Sequence, residues 1–111
     1  MALIVAPEYE LAFTVSAEGK YSRRAPMKIG MMLGFEDSIN TITTIAQEAE
    51  RSGIHSLYTV DAGRSATITA AAVINATRRA KVGTYIVNAF AREPWMTGLE
   101  ARDLNEISGG R

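Results

Sequence analysis

No cysteine occurs among the 111 residues, which excludes disulfides, thiolate nucleophiles and sulfur-ligated metals. There is a single histidine, His55, and the carboxylates are scattered, so no metal-ligand set can be assembled from local spacing. No Ser-His-Asp arrangement has a local signature either. Neither sign of charge is in excess: twelve Lys and Arg balance twelve Asp and Glu. No global field therefore favours nucleic acid or an anionic membrane. Long apolar runs are also missing, and none approaches the roughly 18 residues of a membrane span. The run "ALIVA" near the start has no preceding Lys or Arg and is interrupted by Pro7, Glu8 and Glu10. It is too short for a secretory signal. A reducing cytoplasm suits such a chain.

What is present is a rhythm that starts at Met27. "KIGMMLGF" is a nearly continuous apolar run, as expected of a strand buried on both faces. "DSINTITTIAQEAERSG" follows, with Ile39, Ile42, Ala46 and Ala49 at helical spacing, Asp37 or Ser38 as cap and Gly53 as stop. "HSLYTVD" is a second strand. "RSATITAAAVINATRRA" is a second helix, with Ser65 as N-cap and Arg78 and Arg79 in a cationic last turn. "KVGTYIVNAF" is a third strand. "EPWMTGLEARDLNEISGG" is a third helix, entered through Pro94 and ended by Gly109. Residues 1–26 lack this rhythm. They read as an N-terminal extension, either without fixed structure or adding an edge strand through "YELAFTVS".

Strand and helix thus alternate three times, which implies parallel strands joined by right-handed crossovers. Periodicity alone leaves two α/β architectures open, a doubly wound sheet and part of a (β/α) barrel. "GMMLGFEDS" has neither the G-x-G-x-x-G turn nor a P-loop Lys-Ser/Thr, which disfavours nucleotide binding of those two kinds.

"VGTYIVNAFAREPWMTGLEARDLNEISGGR" resembles the third strand, loop and third helix of the luciferase-like flavin-dependent oxidoreductases. The family pattern there runs roughly G-T-x-V, then N-P-Y-x-R-H-P, then a helix closing on L-D-E-L-S-G-G-R. The resemblance extends over residues 27–111, through "MKIGMMLGF" and "YTVDAGRS". It implies the first three βα units of a TIM (β/α)8 barrel, about three of eight, with the sequence stopping before strand four. It further implies an oxidoreductase of monooxygenase type using reduced FMN, or else the deazaflavin coenzyme, with a small-molecule substrate. As an incomplete barrel, the chain is expected to be inactive alone and to self-associate or take a completing partner. A non-catalytic remnant acting only by association is the alternative.

Barrel sites lie at the C-terminal ends of strands, and that rule sorts the candidates. His55 begins the second strand and falls at the opposite end. Asp61 ends it, where the resemblance implies a cofactor contact; a cap or an ion pair with Arg64 is the structural alternative. Ala62 stands where many deazaflavin-dependent members have histidine, and Arg92-Glu93 stands at the family's Arg-His pair. The resemblance implies a bulge or a non-proline cis peptide at Tyr85–Ile86, supporting the cofactor ring. It also makes Asn88 a hydrogen-bond partner for ring or substrate. Leu33 and Phe35 are weaker lining candidates, and Met31, Met32 and Trp95 are expected in the core.

Overall fold

The computed structural model describes residues 13–15, 21–23 and 27–111. Strands β1 (Phe13–Val15) and β2 (Tyr21–Arg23) pair antiparallel, with Thr14 opposite Ser22. They form their own two-stranded sheet. Among the described residues, the extension thus contributes a separate antiparallel strand pair, and the rest of residues 1–26 lies outside the described residues.

The main sheet holds β3 (Gly30–Met32), β4 (Ser56–Val60) and β5 (Lys81–Ile86) in the order β3-β4-β5, all parallel. Helices α1 (Ile39–Arg51), α2 (Ala66–Ala76) and α3 (Pro94–Ser108) alternate with them. Neighbouring helices pack on one another, α1 on α2 and α2 on α3, while α2 also covers β4 and β5. Sequential parallel strands with the helices in a row put all three helices on one face. The core is the contact between that face and the sheet: Leu33, Ile42, Ala46, Leu57 and Val73 are each at most 2% exposed. Full burial of each larger side chain there, Leu33, Ile42, Leu57 and Val73, is worth about 1.5–3 kcal/mol. Alanines on α1 face this cluster, so the helix approaches closely.

The caps follow the sequence closely at four helix ends. Ser38 accepts the Thr41 N–H at the start of α1, and Ser65 accepts the Ile68 N–H at the start of α2. Pro94 opens α3, and Gly109 closes it at φ 67°, a left-handed conformation that glycine adopts without a Cβ clash. The end of α2 is different. Arg78 and Arg79 do not form its last turn, because the helix stops at Ala76. Thr77 folds its hydroxyl back onto the Val73 carbonyl. The next three N–H groups, of Arg78, Arg79 and Ala80, are taken by the Glu50 carboxylate at 2.6–3.1 Å. A carboxylate offering charge-assisted bonds outcompetes one more helical turn.

The second face of the sheet carries Gly30, Met32, Tyr58, Gly83 and Ile86, by register and alternation. Tyr58 lies between the two glycines: a Cβ on Gly30 would meet its ring at 2.7 Å, and one on Gly83 at 3.4 Å. No helix of the described residues packs there, and Met32 and Ile86 are both more than half exposed.

Candidate site at the C-terminal ends of the strands

β5 does not run straight to its end. Thr84 pairs with Thr59 and Ile86 with Val60, so Tyr85 is the extra residue of a β-bulge. No cis peptide occurs among the described residues. The expected irregularity is thus a bulge with a trans Tyr85–Ile86 bond. The bulge adds a residue and re-aims its neighbours without the roughly 3 kcal/mol of a cis bond. Tyr85 is 67% exposed and Ile86 53%, so both present apolar surface at the C-terminal end of the sheet.

Asp61 follows β4 and faces inward to the loops. Its Oδ1 accepts the Ala66 N–H at 2.7 Å; its Oδ2 accepts the Asn88 N–H at 3.0 Å and Arg92 Nε at 3.2 Å. The Ala66 N–H is the strongest influence holding its carboxyl below the ordinary range, assisted by Asn88 and Arg92 against the opposing effect of burial. Its ion-pair partner is Arg92 and not Arg64, whose Nε donates to the Asp37 carbonyl at 2.6 Å. Arg92 donates from all three nitrogens: to Asp61, to both oxygens of Glu100 and to Ser65 Oγ at 2.7 Å. This guanidinium is missing from the sequence-derived site residues. It belongs to the loop after β5, and its partners sit 8 to 31 positions away, a distance that no local motif spans.

Asn88 closes the loop on itself: its Oδ1 accepts the Phe90 N–H and its carbonyl the Ala91 N–H. The turn leaves Phe90 fully exposed at the tip. Among the sequence-derived candidates, the structure brings together Asp61 and Asn88 by a direct bond, with Tyr85 and Ile86 at the adjoining bulge. Leu33 is instead core, and Phe35 is only partly exposed. Met31 packs on the core, but Met32 and Trp95 are exposed. His55 lies at the other end, beside Arg51 and Arg79. Among the described residues no cluster of His, Cys, Asp or Glu could hold a metal, and no helix is long and apolar enough to cross a membrane.

The site is a platform. The space between Leu33, Phe35, Val60 and Arg64 is closed and narrow, and Tyr85, Ile86 and the Asn88 loop lie exposed beside it. No curated protein matches the chain. A protein-family model, the luciferase-like monooxygenases, matches residues 13–111. With α/β order and sequential parallel strands in agreement, this chain belongs to the luciferase-like monooxygenase family.

Proposed function

We propose that the chain supplies the first three βα units of a (β/α) barrel and takes part in flavin-dependent oxygen chemistry, with FMN or the deazaflavin coenzyme as cofactor. Two features support the barrel. A parallel sheet is normally covered on both faces, whereas this one has helices on one face and exposed Met32 and Ile86 on the other. The Arg111 carbonyl also accepts the Val82 N–H on the outer edge of β5 at 2.9 Å, so the chain after α3 returns alongside that strand.

The observation that carries the cofactor reading is the bulge at Tyr85, set at the strand ends where barrel enzymes work. Tyr85 and Ile86 offer an apolar wall to one side of a planar ring, and Asn88 offers hydrogen bonding at its edge. The described residues fit the ring better than a phosphate: Arg92 is fully engaged, and Arg64 is turned to the Asp37 carbonyl. A phosphate anchor therefore belongs to other units of the barrel. When bound, a reduced flavin supplies the electrons that activate oxygen; this chain's residues orient it and shield one side from water.

Titration with oxidised FMN and with the deazaflavin coenzyme, followed by fluorescence quenching, tests the reading. Weak, saturable binding of one of them that is diminished in Tyr85→Ala is expected. Failure to bind either, in the chain alone and with added barrel segments, refutes it. A second reading, association without catalysis, is favoured by the same uncovered sheet face. Sedimentation distinguishes it: a stable oligomer with no flavin affinity would favour association alone.

A further inference from the structure

Three of the four polar groups of Asn88 are already used. Its N–H goes to Asp61 Oδ2, its carbonyl takes the Ala91 N–H, and its Oδ1 takes the Phe90 N–H at 3.0 Å. A backbone N–H can face only the oxygen end of a carboxamide, so Phe90 determines which end is which. The Nδ2 end is directed away from the turn, and among the described residues it has no acceptor. The side chain is exposed.

The anchoring of Asn88 reaches well beyond its own loop. The oxygen that receives its N–H also receives Arg92 Nε. The Arg92 guanidinium is held by Glu100 on α3 through both carboxylate oxygens, and by Ser65, the N-cap of α2. Asp61 Oδ1 is held by the Ala66 N–H at the first turn of α2. One carboxylate oxygen thus ties Asn88 to two helices. Arg92 and Asp61 have side chains only 19% and 11% exposed.

We propose that Arg92 and Asp61 are a positioning pair that fixes the Asn88 backbone, so that its carboxamide, turned by the Phe90 N–H, stands with Nδ2 outward as an oriented donor to a neutral carbonyl-type acceptor on the ligand. The inference rests on the flavin reading above, in which that acceptor belongs to the conjugated ring. Charge selects the acceptor: Asp61, Arg92 and Glu100 sum to one negative charge, which disfavours a phosphate beside them. A neutral ring carbonyl meets no such penalty. Arg92 itself touches no ligand, since all three of its nitrogens are taken.

The test uses the whole 111-residue chain, labelled with nitrogen-15, with FMN and the deazaflavin coenzyme as probes. Binding should shift the Asn88 side-chain amide resonances. Asn88→Ala should weaken binding by about five- to tenfold, the loss expected of one hydrogen bond, and Asn88→Asp by more. Arg92→Met should weaken binding as much as Asn88→Ala and speed hydrogen exchange at the Asn88 backbone N–H by about tenfold, the same order as one lost bond. Arg92→Lys should fall between. Wild-type affinity in Asn88→Ala overturns the donor role. Wild-type exchange at Asn88 in Arg92→Met overturns the positioning pair. If the unmodified chain binds neither probe, the flavin reading fails, and the exchange rates still judge the pair on their own. Should Arg92→Met not fold, Arg92→Lys and Asp61→Asn carry the same exchange readout.

Discussion

At the N-terminal end of the sheet, Glu50 gathers three backbone N–H groups from consecutive residues of one loop. At the C-terminal end, Asp61 gathers two backbone N–H groups and a guanidinium from three separate segments. Both are carboxylates meeting three donors, yet they do different work. Glu50 ends a helix and starts a strand, a local task beside buried Ala80. Asp61 joins the loops after β4 and β5, and beyond it lie the exposed Tyr85, Ile86 and Phe90. One end is consolidated; the other is held rigid so that it can present unsatisfied surface. On the barrel reading proposed above, the two correspond to a stability end and a working end.

Removing Arg111 should break the consolidated end most severely. Its guanidinium donates to the carbonyls of Ile74, Ala80 and Ser108 and to Thr77 Oγ1. Arg111→Met leaves those acceptors short and should cost about 2–4 kcal/mol in urea unfolding. A loss under about 0.5 kcal/mol, within the range of ordinary surface changes, would show that water replaces it. Asp61→Ala comes next, at about 2–3 kcal/mol for charge-assisted bonds, with exchange accelerated at Ala66 and Asn88 before the rest. Uniform acceleration across the chain would erase the distinction between the ends. Glu50→Ala should cost about 1–2 kcal/mol, since water reaches the freed N–H groups, and Asn88 exchange should stay as it was. A change at Asn88 would mean the ends are coupled.

Acid sharpens the comparison. Burial pushes the Glu50 carboxyl up, but its bonds from Ala80, Arg79 and Arg78 outweigh that and hold it low; Asp61 is held low chiefly by Ala66. Folded-state values below the unfolded ones mean full stabilisation above about pH 4–5, lost as pH falls through the depressed values. Urea midpoints should therefore be flat from neutral pH to about pH 5 and fall below about pH 4. Midpoints that rise on acidification would contradict the sign. Smallest of all, Phe90→Ser should leave stability within about 0.5 kcal/mol while reducing self-association in sedimentation. A large destabilisation would show that the tip is not free surface.

Much of the fold was legible because its signals are local. Ile42, Ala46 and Ala49 lie at helical spacing and are buried; Ser38, Ser65, Pro94 and Gly109 mark their helix ends. The end of α2 was not legible. The arginines there suit a helix terminus electrostatically, and the competing carboxylate comes from Glu50, 28 positions earlier. The candidate residues were legible by place, and the bonds among them were not. Position at the end of a strand singles out Asp61, the family resemblance names Tyr85 and Asn88, and the bulge at Tyr85 lies where that resemblance implies an irregularity. What Asp61 grips depends on how three loops converge, so Arg92 emerges only in three dimensions. Tyr58 is similar: its glycine neighbours on both sides appear only once the strands are in register.

Arg111 also bears on how the chain can be divided. Its side chain completes α2 and the entry to β5 across 31 to 37 positions of sequence, and its backbone holds Val82. The second βα unit is therefore finished by residues of both its neighbours, Glu50 from the first and Arg111 from the third. The repeat visible in the sequence is not a seam at which the molecule can be cut or recombined. A fragment ending at Gly110 would lose the closing residue of its own second unit, and a chimera joined there would inherit an unfinished helix from one parent and its stopper from the other.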